Sequence, residues 1–549
     1  MIMLRKSRML GAGAVFCTVL WFALLAQRPL FDPDEGRYAE IPREMLDGGD
    51  WVIPHLNGLA YLEKPPLQYW LTALAFKVFG QGEFAARLCT GVAGYLTLVA
   101  VFFVGRYLWG LRAGIRAVLF TAASILFVLL GHQLTLDMML SFCLIAALAC
   151  FLAAQGRRDS WSRWRAWMLG CWGAMALAVL TKGLVGVVIP GAAVSAYVVW
   201  QRDWAVLRRL NVRWGLPLFT AIAAPWFVLA ARANPQFLWF FFVREHFQRF
   251  LTPIEHRTEP WWFFVPVLVV GIMPWLPQAA SSLGSAFEDR VPQGQFDAAR
   301  LLWVWCVFVM VFFSFSDSKL IPYILPVIPV LALLCASQQG GDSRGRLLGG
   351  ALLSLASAVG LLSYASGRWN SIEGAELLAQ TRPMLICTGA LLGLGALAGA
   401  ACALRARPLA ALAALCGTWF LVSASVLVAA NGAQALFSAK DVALELHRRC
   451  APAELADVPL FAVQSYQQSL PFYLRRTVIL VDYRDEFDLG LTQDPQRGIA
   501  TLQQFSRVWQ ELGAGFAVMR PNTRDRLSVL GAPMREVAHF PDRVIVSRR

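Results

Sequence analysis

Apolar runs close to the twenty or so residues that cross roughly 30 Å of hydrocarbon as a helix recur along the first 430 positions, divided by short polar breaks. Helices are expected, because in lipid an isolated segment satisfies its backbone only by its own hydrogen bonds. The pattern predicts spans near 10–27, 85–108, 113–131, 134–154, 166–181, 184–200, 214–231, 262–283, 300–316, 320–337, 346–366, 384–404 and 408–430, about thirteen in all. The segment 67–80 is apolar but short, contains Lys77 and follows Pro65 and Pro66, so it reads as an interfacial or re-entrant helix.

Beyond 430 the periodicity changes. Strand-like runs PLFAV, TVILVDY, GFAVM and RVIVS alternate with helical stretches DVALELHRRC and ATLQQFSRVWQEL, which predicts a small α/β domain. The expected architecture is a polytopic α-helical membrane domain over 1–430 and an α/β domain over 431–549. Segments 29–84 and 232–261 are too long and polar to be simple connectors, so function is expected there and not in the short turns.

Composition agrees: 57% of the residues are hydrophobic and 15% charged, too apolar for a soluble chain of this length. Basic residues then set the orientation, since Lys and Arg collect on cytoplasmic loops. Arg5, Lys6 and Arg8, then Arg106, Arg112 and Arg116, then Arg157, Arg158, Arg163 and Arg165, then Arg202, Arg208, Arg209 and Arg213 fall on one side, followed there by Arg344, Arg346, Arg405 and Arg407. The predicted N-terminus is cytoplasmic, the first span a signal anchor, and the α/β domain lies outside. Much of the net charge of +14 is this topology signal. The eleven cysteines are scattered without a CxxC pair, so neither a disulfide framework nor a thiolate metal site is expected.

Candidate chemistry follows the first span, in FDPDEGRYAEIPREML. Asp32 is placed to cap a helix with Pro33 at its first position and Glu35 three residues after the cap, so both acids have a sufficient structural role. Asp34 is different: it precedes Gly36, Arg37 and Tyr38 at the rim of a membrane cavity, where charge needs a purpose. Further along, YLEKPPLQYW sets Tyr61, Glu63 and Lys64 before two stiffening prolines. Lys64 suits a phosphate, and Glu63 a sugar hydroxyl, an amine or a metal.

Asp137 in LTLDMML begins an otherwise apolar span, and it is expected to face the cavity and help position the first-loop residues. The second outer segment, FVREHFQRFLTPIEHRTEPWW, interleaves Arg244, His246, Arg249, His256 and Arg257 with aromatics. Its arginines fit a phosphate clamp, and either histidine fits a metal beside Glu63. Lys319 and Tyr323 in SDSKLIPYILP stand where an outer loop re-enters the bilayer, suited to a carrier phosphate or to simple interfacial anchoring.

At DPDEGRYAE, LEKPPLQYW, LTLDMML, EHFQRF and KLIPYILP the chain resembles, over its whole length, the aminoarabinose-transferring branch of the protein-mannosyltransferase-like family, glycosyltransferase family 83 of the GT-C superfamily. The resemblance implies thirteen spans, two surface-lying helices in the first outer loop and a periplasmic C-terminal domain. It implies transfer of 4-amino-4-deoxy-L-arabinose from undecaprenyl phosphate to lipid A phosphate at the inner membrane, conferring polymyxin resistance, with no nucleotide sugar or nucleic acid involved. Asp34, with Asp137, would be the catalytic carboxylates. Lys64 and Arg249 or Arg257 would hold the carrier phosphate, and Tyr38, Tyr61 and Tyr323 the sugar. Glu63 would contact the amine or a divalent metal such as zinc, with His246 or His256 as a further ligand. No cofactor is required by the reaction itself. The alternatives are a related polyprenyl-phosphate-dependent mannosyltransferase, which would need a true base for a hydroxyl acceptor, and a lipid-linked sugar transporter.

Overall fold

The computed structural model describes residues 2–156, 161–252, 258–284, 291–338, 343–367, 375–449, 455 and 457–548. Helices stand at every predicted span. Among the described residues seven helices are long and apolar enough to cross a membrane, or nine if each of two bent pairs counts as one span, and shorter apolar helices stand at Gly13–Ala26, Val185–Gln201 and Ile321–Ser337. The chain has a polytopic α-helical membrane fold with a small α/β domain at its end.

Two predicted spans are not straight. Leu111–Ala123 and Ile125–Gly131 meet at 72°, and Phe264–Gly271 and Leu276–Gly284 at 119°. In the second pair Pro274 stands in the break, where it has no N–H to continue the helix. An uninterrupted apolar run conceals such a turn, because hydropathy does not register one missing donor.

The chain divides into two compact units, Thr90–Ala429 and Met1–Cys89 with Ala430–Arg549. Within the first of these, close packing depends on small residues: a Cβ on Gly395 would lie 2.1 Å from the Thr418 hydroxyl, and one on Gly399 2.7 Å from Leu415. Helices Ala375–Leu404 and Pro408–Ala429 therefore approach nearly backbone to side chain.

In the other unit the segment 29–84 folds with the end of the chain. Helix α1 (Ile2–Ala23) leads to α2 (Asp34–Gly48), a hairpin of β1 (His55–Leu56) and β2 (Leu59–Ala60), and α3 (Leu67–Phe79). Helix α2 ends at Gly49, whose φ of 71° lets its N–H turn back to the Met45 carbonyl. A single sheet follows, from β3 (Leu460–Val463), β4 (Ile479–Val481), β5 (Gly498–Ile499), β6 (Phe516–Met519), β7 (Arg535–His539) and β8 (Val544–Ser547), in the order β5-β4-β3-β6-β8-β7. Strands β3 to β6 run parallel, and β8 and β7 are antiparallel additions. The four predicted strands are present; β5 and β7, short or exposed, carry too little apolar pattern to be read. Phe461, Phe505 and Trp509 anchor the core beneath the sheet.

Candidate active site

The DPDEG segment is built differently from a simple helix cap. Helix α2 begins at Asp34 with Pro33 as its cap residue and no side-chain capping bond. The Asp32 carboxylate instead accepts from the Ser469 N–H at 2.6 Å and the Ser469 hydroxyl at 3.0 Å. Gly36 makes that approach possible: a Cβ there would lie 2.3 Å from the Ser469 nitrogen. Burial pushes the Asp32 carboxyl up to about 7, against the pull of both Ser469 bonds.

Glu35 is likewise more than a helix-start acid. It is fully buried between Arg28 and Arg87, with Arg87 Nε 2.7 Å from its carboxylate, and it also accepts the Phe31 N–H at 3.0 Å. Burial alone would raise this carboxyl, but Arg87 and then Arg28 outweigh it and hold it at about 2. Arg87 also donates to the carbonyls of Leu25, Arg28 and Pro29, so one guanidinium ties the end of α1 to the start of α2. The sequence alone assigns neither arginine a role. A lone Arg within three or four residues of an apolar run was the available signal.

Arg37 is the centre of the next layer. Its guanidinium lies 3.5 Å from the Asp34 carboxylate and pairs directly with Glu486 of the sheet domain. The Tyr38 and Tyr61 rings stand 6.0 and 5.9 Å away. Burial opposes its charge, yet Tyr61, Glu486, Tyr38 and Asp34 together raise its pKa well above the ordinary value. Its Nε remains without a hydrogen-bond partner among the described residues. Asp34 is the open member of the group, its side chain 40% exposed against 11% for Arg37. A fixed cation thus stands behind an accessible carboxylate.

The second cluster is adjacent in the same unit. The Tyr61 hydroxyl donates to Glu63 at 2.9 Å, and Lys64 reaches the Glu63 carbonyl at 3.1 Å. Tyr38 packs on Tyr69, ring centres 6.0 Å apart, which links it to α3. Glu63 and Lys64 are both half-buried.

In Thr90–Ala429, Asp137 opens helix Leu136–Gly156 and pairs with Lys182 at 2.5 Å. The Lys182 ammonium lies 4.6 Å from the centre of the Tyr323 ring. The sequence alone assigns Lys182 no role; it is the last residue of the apolar helix Trp161–Lys182. Lys319 is buried and donates to the Ser316 carbonyl at 2.6 Å. Arg249 pairs with Glu245 at 2.8 Å, directly after the π-helical turns Trp239–Gln248. Wide turns of this kind are rare and concentrate at functional segments.

His246 uses both ring nitrogens within the chain: one lies 2.7 Å from the Phe241 carbonyl and the other accepts the Leu184 N–H at 3.2 Å. Neither is left for a metal, and among the described residues no group of three His, Cys, Asp or Glu side chains forms a metal site. His256 and Arg257 lie outside the described residues.

Residues 446–548 match the aminoarabinose transferase C-terminal domain, and 63–229 match the dolichyl-phosphate-mannose-protein mannosyltransferase model. An undecaprenyl phosphate-alpha-4-amino-4-deoxy-L-arabinose arabinosyl transferase of Erwinia tasmaniensis is 30% identical over 91% of this chain and 90% of its own length. The crystal structure of ArnT from Cupriavidus metallidurans bound to undecaprenyl phosphate superposes with a TM-score of 0.91 at 32% identity, covering 99% of this chain and 98% of that one. An Archaeoglobus fulgidus oligosaccharyltransferase shares the fold alone, with a TM-score of 0.52 at 13% identity over 92% of this chain and 69% of that one. The chain belongs to the family of undecaprenyl phosphate-alpha-4-amino-4-deoxy-L-arabinose arabinosyl transferases, glycosyltransferases of the GT-C fold.

Proposed function

We propose that this chain transfers 4-amino-4-deoxy-L-arabinose from undecaprenyl phosphate to a phosphate of lipid A, and so confers resistance to polymyxin and related cationic peptides. The observation that carries the proposal is the end-to-end likeness to a relative holding undecaprenyl phosphate. The reaction runs at the periplasmic face of the inner membrane, with the N-terminus cytoplasmic and the α/β domain periplasmic.

An oxygen of the acceptor phosphate attacks the anomeric carbon of the sugar. The bond from that carbon to the carrier phosphate breaks, and undecaprenyl phosphate leaves with the electron pair. A single displacement of this kind inverts the anomeric centre. The acceptor is already anionic near neutral pH, so its needs are positioning and charge relief, not deprotonation.

Asp34 fits the role of orienting the reactants, because Arg37 fixes it from behind while its own side chain stays accessible. Lys64 is suited to balance charge growing on the departing phosphate, and Arg249 and Arg257 are alternative candidates for that role. Tyr38 and Tyr61 wall the sugar, and Glu63, held by the Tyr61 hydroxyl, meets its amine. Asp137, Lys182 and Tyr323 form a second charged group in which Lys182 is the cation available to a phosphate, and Lys319 anchors the turn after helix Ala298–Phe315.

The deciding experiment incubates purified full-length protein with the undecaprenyl phosphate-linked amino sugar and lipid A, and reads lipid A by mass spectrometry. The expected result is addition of the amino sugar to a lipid A phosphate. Sugar on a protein hydroxyl instead would support the mannosyltransferase-like reading that the 63–229 match allows. Movement of the lipid-linked sugar across a vesicle without transfer would make the chain a carrier.

A further inference from the structure

The sheet domain has a cavity whose lining includes none of the residues given a role in the transfer step above. It holds about 330 Å³ and opens beside the carboxyl ends of the parallel strands β4 and β5. In parallel α/β sheets that edge is where ligands bind, because loops from successive strands diverge there. The volume falls within the range of small-molecule sites.

The backbone is strained on this edge. Gln464 and Asp482, the residues that follow β3 and β4, have φ of 52° and 49°, and Asp485 has 33°. Non-glycine residues hold the left-handed region at an energetic cost and gather at binding sites. Gln464 is committed: its Nε2 donates to Asp482 at 2.6 Å, and its carbonyl oxygen accepts from Thr523 and Arg526, each at 3.2 Å. That network fixes one oxygen of Asp482, and the other has no hydrogen bond among the described residues.

The lining has two characters. Leu480, Leu491 and Ile499 form an apolar floor, and Asp482, Tyr483 and Arg484 supply the polar groups. Arg484 is 65% exposed and, among the described residues, is paired with Asp488 at 3.2 Å, so its fork is available to an anion. A carboxylate for hydroxyls or an amine, a guanidinium for a phosphate, an aromatic ring and an apolar floor together match one class of molecule. We propose that this cavity binds a phosphorylated sugar.

Two sources supply that chemistry, the phosphorylated glucosamine of the acceptor glycolipid and a soluble sugar phosphate. The assignment to the acceptor rests on the transfer reaction proposed above. It also gives the cavity a consequence, because Glu486, the partner of Arg37, lies two residues beyond Arg484 on the same turn. A headgroup seated on Arg484 would steady the turn that holds Arg37.

The test titrates full-length protein in detergent with D-glucosamine 1-phosphate by calorimetry, and measures transfer against lipid A concentration. Arg484→Ala and Asp482→Asn should weaken binding by at least about tenfold, the worth of a charged hydrogen bond. Arg484→Lys should retain part of it. If the acceptor is the source, Arg484→Ala should also raise the KM for lipid A by about tenfold with kcat within about twofold of the parent. If binding is lost but that KM is unchanged, the ligand is a soluble sugar phosphate and the acceptor assignment is overturned. No saturable binding by the parent protein, or equal binding by Arg484→Ala, overturns the cavity itself while parent transfer to lipid A still stands. Unchanged thermal melting of the variants excludes misfolding, as expected for an exposed arginine.

Discussion

Arg37 and Glu486 form an ion pair between the second turn of helix α2 and the sheet domain, both side chains nearly excluded from solvent. The pair makes the position of Arg37, and through it the posture of Asp34, a property of the C-terminal sheet as well as of the first loop. Glu486→Gln leaves the guanidinium with only an exposed carboxylate 3.5 Å away. Removing one member of a buried pair costs roughly 3–5 kcal/mol, so this variant should melt earlier and transfer sugar poorly even with Asp34 and Lys64 intact. Equal melting and activity in Glu486→Gln and the parent would show that the sheet does not hold Arg37.

Asp34→Asn and Lys64→Ala should behave differently from that variant. Asp34 is accessible and Lys64 half-buried, so neither change should lower protein levels in the membrane. Each should reduce transfer to lipid A by about 100-fold or more, the usual effect of removing one oriented charge from a reaction site. Polymyxin sensitivity of cells carrying each variant, with immunoblots for protein level, checks both halves of the expectation.

Glu35→Gln separates structure from chemistry. The carboxylate balances two buried arginines, and its loss leaves like charges facing each other in a low-dielectric site. The expected outcome is a large fall in accumulated protein, with residual molecules active in proportion to their amount. Normal abundance with lost turnover would place Glu35 in the reaction instead.

The pH dependence of the loop has a definite sign. Asp32, raised to about 7, and Glu44, raised to about 8 by burial and by Glu40, hold protons in the folded state that the unfolded chain releases near pH 4. Over that window the folded state binds more protons, so stability falls as pH rises from about 4 toward 8. Glu35, held at about 2, acts oppositely: its contribution is complete above about 4.5 and is lost on acidification toward 2. Melting in detergent should therefore be highest in mildly acidic buffer, and Asp32→Asn should flatten the decline between pH 5 and 8. A melting temperature that rises across that interval in the parent protein would refute the assignment.

Much of this architecture could be read from the chain. Thirteen apolar runs and four strands declare themselves by period, and Asp34, Arg37, Glu63 and Lys64 stand out as candidates by charge placed against a membrane, with Tyr38 and Tyr61 beside them. What could not be read were the pairings. Asp32 looked like a helix cap because capping is local, whereas its actual partner, Ser469, arrives by folding of the distant sheet domain. Arg28, Arg87 and Glu486 were equally hidden, since nothing in their own neighbourhoods names a partner. The 119° bend is hidden from the sequence for a different reason: hydropathy sums over side chains and ignores the backbone.

Lys182 gives the last test, because the sequence suggested only Asp137. An ammonium 2.5 Å from that carboxylate and 4.6 Å from the Tyr323 ring is held by two independent interactions. If the pair merely stabilises the helices, Asp137→Asn together with Lys182→Met should restore both protein level and transfer, since a buried ion pair replaced as a unit is often neutral. If Lys182 serves the carrier phosphate, the double variant should accumulate normally yet lose transfer, and the apparent KM for the lipid-linked donor should rise in Lys182→Met. Tyr323→Phe keeps the ring face and should leave donor KM nearly unchanged, whereas Tyr323→Leu removes the cation's support, worth about 0.5–2 kcal/mol, and should raise it. The double variant with normal abundance and full transfer would assign the pair to structure alone.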